Sequence, residues 1–450
     1  MAKFLFTVWP FPGHIYPNIA IAHALRARGH DVAFYTGGMA RPVVAGEVFT
    51  YFPFQQVAHR LRAVVGWPET DGDVADPALL YERLTERYAY SHEQSLLARA
   101  KQLKAMYYEW ILGTVPQQVI DLQAVLIQWQ PDVIVCDYSM WSPILVLHET
   151  HRIPVAVSSL AIGCMIPGPD VPPPGFGLPS VRKWPTRLLA RLVGSITDLF
   201  ASAFRSAVSE MRQRYGLPPL SMPMMQFAGQ MPLYLIPSVP ALDYQRRDLP
   251  PSVHYVGPCV WNKPRDEPPP PWLMQLPKDR PWVHVTEGTS HAQAPIVLRA
   301  AAQGLANLPM QVIMTTGTNR NPGELGLEPS ASNVRVEHWV AHSDLLPHTD
   351  VVVTTGGAGT VLAALHAGVP LIVVPTEWDK PENAQRVVAA GVGLRLEPRH
   401  CTPKRLRAAV ERVLGEPSFR QNARRLAALF GHYDGAARAA ELLEGLAIVE

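Results

Sequence analysis

A histidine and an aspartate each follow a predicted strand of this sequence, in positions where they could move a proton. His14 lies in the turn at residues 12–17, after a strand predicted at 3–9, and Asp137 ends a second apolar strand predicted at 132–137. A histidine can remove a proton from a hydroxyl near neutral pH, and a neighbouring carboxylate stabilises the imidazolium that forms. The pattern predicts a catalytic His14–Asp137 pair. The alternatives are an ordinary loop histidine and an aspartate that caps the next helix.

Two glycine turns in the second half of the chain have the composition of anion-binding loops. The turn at 354–360 contains glycines between a predicted strand and a helix, and the turn at 287–290 follows another strand. Glycine lets backbone amides at a helix N-terminus approach phosphate oxygens, so two such turns on one sheet favour a diphosphate. The residues predicted to contact the nucleotide phosphates are Gly288, Thr289, Ser290, Thr355, Gly357, Gly359 and Thr360.

The longer turn also has a second interpretation, the dinucleotide site of an NAD-dependent oxidoreductase. Asp379 lies about 20 residues after Gly359, near the distance expected of an acid that binds a ribose. However, Leu362 stands where that motif requires its third glycine, and the turn lies deep in the second half of the chain. These observations favour the diphosphate interpretation.

Two more segments could bind the remaining parts of a nucleotide-activated sugar. Trp339 follows a strand predicted at 334–337, where it could stack on a flat base while the backbone of Val340 contacts the edge of that base. The alternative is a core tryptophan. Residues 376–380 place two carboxylates and an amine after a strand predicted at 371–375, where sugar hydroxyls could bind. The residues predicted to contact the sugar are Glu377, Trp378, Asp379 and Lys380.

Strands and helices are predicted to alternate along both halves of the chain, which is typical of parallel sheets covered by helices. We therefore predict an α/β fold with two Rossmann-like parallel-sheet domains that face a central cleft, with ligands at the C-terminal ends of the strands. Helical insertions at 78–111 and 184–215 could build a variable pocket. The predicted parts are an N-terminal domain at 1–240, a proline-rich linker at 241–275 and a C-terminal domain at 276–450.

Composition excludes several classes of protein. Of the 450 residues, 48% are hydrophobic and 17% charged, which excludes disorder as the main state, and this length implies two or more large domains. The net charge is +2 and no basic run indicates nucleic acid as a partner. The four cysteines lie far apart without a C-x-x-C pair, which argues against a zinc site or a redox dithiol and favours a cytoplasmic protein.

Three segments could indicate a metal or a membrane. Asp71 and Asp73 form a D-x-D sequence, but they lie in a polar loop with glycine, so no metal is predicted. The uncharged stretch at 351–376 is long enough to cross a bilayer, but its glycines and proline divide it into a strand, a turn, a helix and a strand. The amphipathic segment at 183–214 is interpreted as a core helix with solvated arginines, and a membrane-docking surface is the alternative.

Together, these segments resemble the GT-B glycosyltransferases that use nucleotide-activated sugars, specifically the bacterial relatives of the plant and macrolide glycosyltransferases. The similarity is strongest over 338–386, where a tryptophan, a glycine-rich turn with threonine, and then proline, aspartate and asparagine-alanine follow the donor-binding signature of that family. The resemblance implies that His14 is the catalytic base and Asp137 its partner. It also implies that Trp339 stacks on the nucleotide base and that Asp379 binds the sugar.

The chain departs from that signature at three positions. Thr355 stands at the position of the phosphate-binding histidine, Ala363 at that of the ribose-binding glutamate, and Lys380 at that of the glutamine after the sugar-binding aspartate. The loss of a ribose contact implies either that a neighbouring group replaces it or that a deoxythymidine nucleotide is accepted. The expected donor is therefore UDP-glucose on base rates, or else a dTDP-sugar.

The reaction expected from the resemblance is metal-independent, cofactor-independent transfer of a hexose to a hydroxyl with inversion at the anomeric carbon. The acceptor would be an apolar small molecule such as a polyphenol or a macrolide, and the enzyme a monomer or weak homodimer. The alternatives are an NAD-dependent oxidoreductase, a non-catalytic protein of the same fold and an enzyme that acts on a lipid acceptor at a membrane. The residues predicted to line the acceptor pocket are Met106, Trp110, Trp141 and Met165.

Overall fold

The computed structural model describes residues 1–67, 77–88, 96–169, 171–181, 184–261, 268–288, 295–317, 320–323, 325–326 and 331–448. Within them, the strands form one sheet of seven and one of six, and the neighbouring strands are parallel. The strands of the first sheet are β1 Lys3–Thr7, β2 Asp31–Thr36, β3 Thr50–Pro53, β4 Val133–Asp137, β5 Val155–Ser158, β6 Leu233–Ile236 and β7 Val253–Tyr255. Those of the second are β8 Trp282–Thr286, β9 Gln311–Thr315, β10 Val334–Glu337, β11 Val351–Thr354, β12 Leu371–Val373 and β13 Gly393–Arg395.

Helices cover both faces of each sheet. The α-helices are α1 Pro12–Ala27, α2 Arg41–Gly46, α3 Gln56–Val64, α4 Pro77–Tyr88, α5 Leu96–Met106, α6 Val115–Trp129, α7 His148–Thr150, α8 Trp184–Arg214, α9 Met224–Ala228, α10 Pro271–Gln275, α11 Ile296–Gly304, α12 His342–Leu345, α13 Ala358–His366, α14 Lys380–Ala389, α15 Pro403–Gly415, α16 Pro417–Phe430 and α17 Gly435–Ala447. Single π-helical turns at Tyr107–Ile111 and Pro143–Leu147 precede α6 and α7.

Both sheets have the same strand order, which confirms the predicted pair of Rossmann-like domains. The first is ordered β3-β2-β1-β4-β5-β6-β7 and the second β10-β9-β8-β11-β12-β13. In such sheets the order reverses between the first and fourth strands, and ligands bind outside the carboxyl ends of the strands at that point. The turns after β1 and β4 therefore meet in the first domain, and those after β8 and β11 meet in the second.

The central strands of each sheet are buried on both faces, which explains their nearly continuous apolar sequences. Successive side chains of a strand point to opposite faces of its sheet. Phe4 and Phe6 therefore belong to one hydrophobic cluster with α1, whereas Leu5 and Trp9 belong to the cluster on the other face. The second sheet is likewise enclosed by two clusters, and Val351 and Val352 divide between them in the same way.

The predicted domain boundaries need two corrections. Residues 253–255 of the predicted linker form strand β7, which pairs with β6 at the edge of the first sheet. The last helix, α17, returns to the first domain, where Ala439, Ala440 and Leu443 pack in the cluster of α1. A short edge strand and the destination of an ordinary amphipathic helix are set by tertiary packing, which a local pattern does not reveal.

Helix α1 begins at Pro12 and not at Pro17 as predicted, with its first residue the proline favoured at that position. Pro17 is accommodated inside the helix. The consequence is that His14 lies in the first helical turn, where its backbone is fixed, and not in a loop.

The stretch at 351–376 forms β11, α13 and β12, as predicted. Among the described residues, one helical stretch, Lys101–Trp129, is long and apolar enough by composition to span a bilayer, and more than half of it is buried inside the protein. Its residues Trp110, Val119 and Leu122 belong to the core of the first domain.

Candidate active site

His14 and Asp137 meet at the reversal point of the first sheet, as their positions in the sequence predicted. Nδ1 of His14 lies 2.5 Å from Oδ2 of Asp137, which is the last residue of β4 and fully buried. The other carboxylate oxygen accepts hydrogen bonds from the amide and the hydroxyl of Ser139, at 2.9 and 2.8 Å. The carboxylate is thus held on both oxygens. Because Nδ1 faces Asp137, the opposite ring nitrogen, Nε2, is the one that a substrate hydroxyl can reach.

The glycine turn after β11 forms an open cradle at the N-terminus of α13. Gly356 has φ +96°, and a Cβ there would lie 2.6 Å from Val373, so this position requires glycine. A Cβ at Gly357 or Gly359 would meet nothing within 4 Å. Space is therefore free beside the first amides of a helix, where an anion is stabilised by the amides and the helix dipole.

The second predicted phosphate turn follows β8 and is only partly described. Gly288 has φ +79° with open space around it, whereas Thr289 and Ser290 lie outside the described residues. The hydroxyl of Thr355 donates a 3.0 Å hydrogen bond to the carbonyl oxygen of Glu287. Thr355 was predicted to contact the nucleotide, but in this structure its side chain is buried and ties the two turns together.

Glu287 organises the donor side and was not predicted to have a role. One of its carboxylate oxygens accepts hydrogen bonds from the amides of Val297 and Leu298, at 2.8 and 3.4 Å, and so caps helix α11. The other lies 2.8 Å from the guanidinium of Arg320, after β9. Burial raises the pKa of Glu287, and Arg320 and the amide donors oppose that rise. A carboxylate at the end of an apolar strand was the signal that could have identified it.

The predicted sugar-binding segment lies at the start of α14, against the glycine turn. Asn383 donates hydrogen bonds to Asp379, at 2.7 Å, and to the carbonyl of Gly356, at 2.9 Å. Lys380 donates to the hydroxyl of Thr376 at 3.0 Å. The segment and the phosphate cradle are thus one hydrogen-bonded unit.

Charges from the two domains act on each other across the cleft. Burial raises the pKa of Asp379, and Asn383, Lys380 and His14 oppose that rise. The geometric contact across the cleft is made by the residue next to Asp379, since the ring of Trp378 meets that of Trp110 in the first domain. Burial also raises the pKa of Glu377, and Lys380, 4.0 Å away, opposes it.

The two tryptophans of the donor side lie in different surroundings. Trp339 is 53% exposed beside the end of β10, whereas Val340 is buried. Trp378 was predicted to contact the sugar. Its ring instead makes an edge contact with Trp110 of the first domain, at a centroid distance of 5.8 Å.

The four residues predicted to line the acceptor pocket are mostly interior. Met106, Trp110 and Trp141 are nearly fully buried in one hydrophobic cluster of the first domain, and Met165 is half-buried. Of these, Trp110 is linked to the His14–Asp137 pair through the ring of Phe11, which contacts both Trp110 and His14. Met106 and Trp141 are core residues of the first domain, and a direct contact between them and an acceptor stays a prediction.

A buried ionic network, also missed by the sequence analysis, joins the two domains behind the site. Arg386 of α14 donates to Asp243 at 2.8 Å and to Glu382 at 3.0 Å, and all three are almost fully buried. Asp243 also accepts hydrogen bonds from the amide of Cys164 and the hydroxyl of Tyr255, both at 2.6 Å. The loop after β5 is thereby attached to the helix that carries the sugar-binding segment.

Comparison with known proteins identifies the family. Residues 300–431 match the family model of the C-terminal domain of erythromycin biosynthesis protein CIII-like proteins. The chain is 34% identical over 447 residues to the 4'-demethylrebeccamycin synthase of Lentzea aerocolonigenes, covering 99% of each protein. This chain belongs to the GT-B glycosyltransferases of natural-product pathways.

Solved structures of glycosyltransferases superpose on almost the whole length of this chain. The kitacinnamycin glycosyltransferase superposes with a TM-score of 0.71 at 21% identity, covering 99% of both chains. The glycosyltransferase VinC in complex with dTDP superposes with a TM-score of 0.64 at 20% identity, again covering 99% of both chains. At this identity the likeness establishes the fold.

In the part of the chain that the structure describes, no cluster of three or more histidine, cysteine, aspartate or glutamate side chains has the geometry of a metal site. Asp71 and Asp73, the D-x-D pair of the sequence, lie outside the described residues. The four cysteines are buried and unpaired.

Proposed function

We propose that this glycosyltransferase moves a hexose from a nucleoside diphosphate sugar to a hydroxyl of an apolar small molecule, with inversion at the anomeric carbon and without a metal ion. The observation that carries the proposal is the position of the His14–Asp137 pair opposite Asp379 and two glycine turns. A proton acceptor, a sugar-binding acid and an anion cradle thus face one cleft.

The reaction is a direct displacement. Nε2 of His14 takes the proton of the acceptor hydroxyl, and the oxygen attacks the anomeric carbon on the face opposite the diphosphate. Asp137 stabilises the resulting imidazolium and keeps the ring in the tautomer that leaves Nε2 free. A single displacement inverts the configuration, so an α-linked donor gives a β-glycoside.

The leaving diphosphate is stabilised by the backbone. Its developing charge faces the amides of residues 357–360 and the positive end of the α13 dipole. These donors are in place before the reaction, because Thr355 and Asn383 hold the turns. We propose that they supply the countercharge that a metal ion provides in other transferases.

We propose a dTDP-hexose as the preferred donor, with UDP-glucose as the alternative. Ala363 stands where the resemblance places a ribose-binding glutamate, and its methyl group cannot accept a hydrogen bond from a ribose hydroxyl. A deoxyribose has one hydroxyl fewer than a ribose, so it loses fewer hydrogen bonds when the glutamate is absent. The solved neighbour that holds dTDP supports this choice.

Thermal stabilisation of the purified protein by dTDP, UDP and NAD at matched concentrations tests the donor class. A ligand present at 100 times its dissociation constant adds about 2.7 kcal/mol to the free energy of unfolding. We expect stabilisation by dTDP, a smaller effect of UDP and none of NAD. Stabilisation by NAD alone would overturn the proposal.

The stereochemical course is tested on the product. With an α-linked donor and a phenolic acceptor, the anomeric proton of the isolated glycoside should show the large coupling constant of a β-linkage in its NMR spectrum. Recovery of an α-glycoside would exclude single displacement.

A further inference from the structure

We propose that Trp378 is an acceptor-specificity residue that forms, together with Trp110, an aromatic wall selecting flat aromatic acceptors beside His14. The inference rests on the proposed transferase function and deepens it by naming the acceptor class. It assigns Trp378 to the acceptor, in place of the sugar contact predicted from the sequence.

The backbone of Trp378 is the first observation. Its φ is +59°, in the left-handed region, which bulky residues rarely adopt because their side chains crowd the backbone there. Such conformations persist where the surroundings enforce them, and they are concentrated at ligand sites. The side chain nevertheless stays 42% exposed, so burial alone does not account for this conformation.

The direction of the ring is the second observation. Trp378 belongs to the donor domain, yet its ring meets the ring of Trp110 at 83° across the cleft. Trp110 in turn lies 6.1 Å from Phe11, and Phe11 lies 5.7 Å from the imidazole of His14. A row of rings therefore runs from the donor domain to the catalytic base, with the exposed end at Trp378.

The indole of Trp110 is the third observation. Its Nε1 is buried and has no hydrogen-bond partner among the described residues. Two other buried tryptophans do find partners: Trp9 donates to the carbonyl of Ser139 and Trp282 to that of Pro277. An unpaired buried donor is unfavourable, so an acceptor oxygen that reached it when the exposed ring of Trp378 moved aside would be bound strongly.

These observations define the acceptor by its chemistry. Aromatic side chains prefer an edge or an offset face of another ring, which favours a flat polycyclic acceptor over a puckered aliphatic one. A carbonyl or ether oxygen on the acceptor would satisfy Nε1 of Trp110. The hydroxyl to be glycosylated would then lie toward His14.

The test compares acceptors that carry the same reacting group. 2-(Hydroxymethyl)naphthalene and 2-(hydroxymethyl)decalin are primary alcohols of similar size, one flat and one puckered. We expect wild type to prefer the naphthalene, and Trp378→Leu to reduce the ratio of the two kcat/KM values by about twofold to tenfold, the effect of one aromatic pair. Trp378→Phe should restore most of the ratio. An unchanged ratio in Trp378→Leu would overturn the proposal.

A second variant tests the unpaired indole. 7-(Hydroxymethyl)coumarin adds a ring carbonyl to the same flat bicyclic shape. We expect Trp110→Phe to lower the preference for the coumarin over the naphthalene by about twofold to tenfold, since one hydrogen bond is lost. Loss of both activities in equal proportion would assign Trp110 to packing alone and contradict its role as a donor.

Two controls separate this inference from the proposed function. Stabilisation by dTDP should be retained in each variant, which shows that the donor domain is folded. If wild type glycosylates neither alcohol with any donor, the proposed function fails. If wild type is active but prefers the decalin, only the inference fails.

Discussion

The two sheet edges that meet at the cleft hold their functional groups in different ways. The first places two side chains, His14 and Asp137, in direct contact at 2.5 Å. The second offers backbone amides at glycine turns, and its side chains, such as Glu287 and Asn383, fix those turns. In the proposed reaction, the chemistry at the first edge therefore depends on the identities of two residues, whereas donor binding at the second depends on the shape of the loops. Substitutions should separate the two.

The largest expected effect is the loss of chemistry at the first edge alone. His14→Ala should reduce kcat by about 10² to 10⁴, the usual contribution of a general base, while binding of dTDP is retained because the glycine turns are untouched. Steady-state transfer assays and calorimetric titration with dTDP measure the two quantities. Full transfer activity would contradict the assignment of His14.

Asp137→Asn provides the matched variant, since it keeps the shape and removes the charge that stabilises the imidazolium. We expect a large fall in kcat, although a smaller one than for His14→Ala. The double variant should be no worse than His14→Ala alone, because the two residues act as a unit. Additive losses would show that Asp137 acts independently of the histidine.

The next effect concerns the network that joins the two edges. Arg386→Met should leave Asp243 and Glu382 buried without their cation, at a cost of about 3 to 5 kcal/mol in the free energy of unfolding. Urea unfolding measures it. Arg412→Met removes an exposed i,i+4 pair with Glu416 and serves as the control, with an expected change within about 0.5 kcal/mol. Equal effects of the two variants would exclude a structural role for the network.

The same contrast explains what the sequence could predict. His14, Asp137 and the glycine turn at 354–360 were identifiable because each follows an apolar strand, and the ends of parallel strands share one edge. Gly356 could be assigned to a turn from its type alone. These are local signals, and both Rossmann-like domains were predicted from them.

The supporting residues were not predictable, since their partners are distant. Asp243 and Arg386 are 143 positions apart, and their pairing depends on how the domains pack. Strand β7 has three residues, too few to show a period. The contact between Trp378 and Trp110 depends on a left-handed backbone that tryptophan itself does not favour.

A smaller effect on donor binding is expected from the side chains that hold the loops of the second edge, because they act on the donor through those loops. Glu287→Gln keeps one oxygen for the amides of α11 but removes the charge paired with Arg320. We expect dTDP to bind about threefold to tenfold more weakly, as the turn at Gly288 loosens, with little change in kcat at saturating donor. A fall in kcat with unchanged affinity would place Glu287 in the chemistry instead.

The stability of Glu287→Gln relative to wild type should depend on pH. Because burial raises the pKa of Glu287, its protonated form favours folding. That contribution is fully present below the pKa of an unfolded glutamic acid and is lost as the pH rises through the folded-state value. Glutamine mimics the protonated form, so the Tm of Glu287→Gln relative to wild type should increase from pH 4 to pH 7. A relative Tm that decreases over this range would contradict the direction of the shift.

The smallest expected effect concerns the contact between helix α17 and the first domain. Glu444 of α17 pairs with Arg28 and His30 of the first domain, at 2.6 and 2.7 Å, and these partners lower its pKa to about 2. Glu444→Gln should lower the Tm by at most about 2 °C at pH 7, because exposed ion pairs contribute little. Glu441→Gln, which removes a pair with Arg438 inside the same helix, should have less effect.

The sign of the pH dependence distinguishes this contact from general loss of charge. A lowered pKa stabilises the fold above the pKa of an unfolded glutamic acid, about 4.3, and this contribution is lost as the pH falls toward 2. The difference in Tm between wild type and Glu444→Gln should therefore shrink as the pH falls from 5 to 3. A difference that grows between pH 5 and pH 3 would show that α17 is not held to the first domain by this carboxylate, and the boundary between the two regions would then rest on the apolar contacts of Ala439, Ala440 and Leu443 alone.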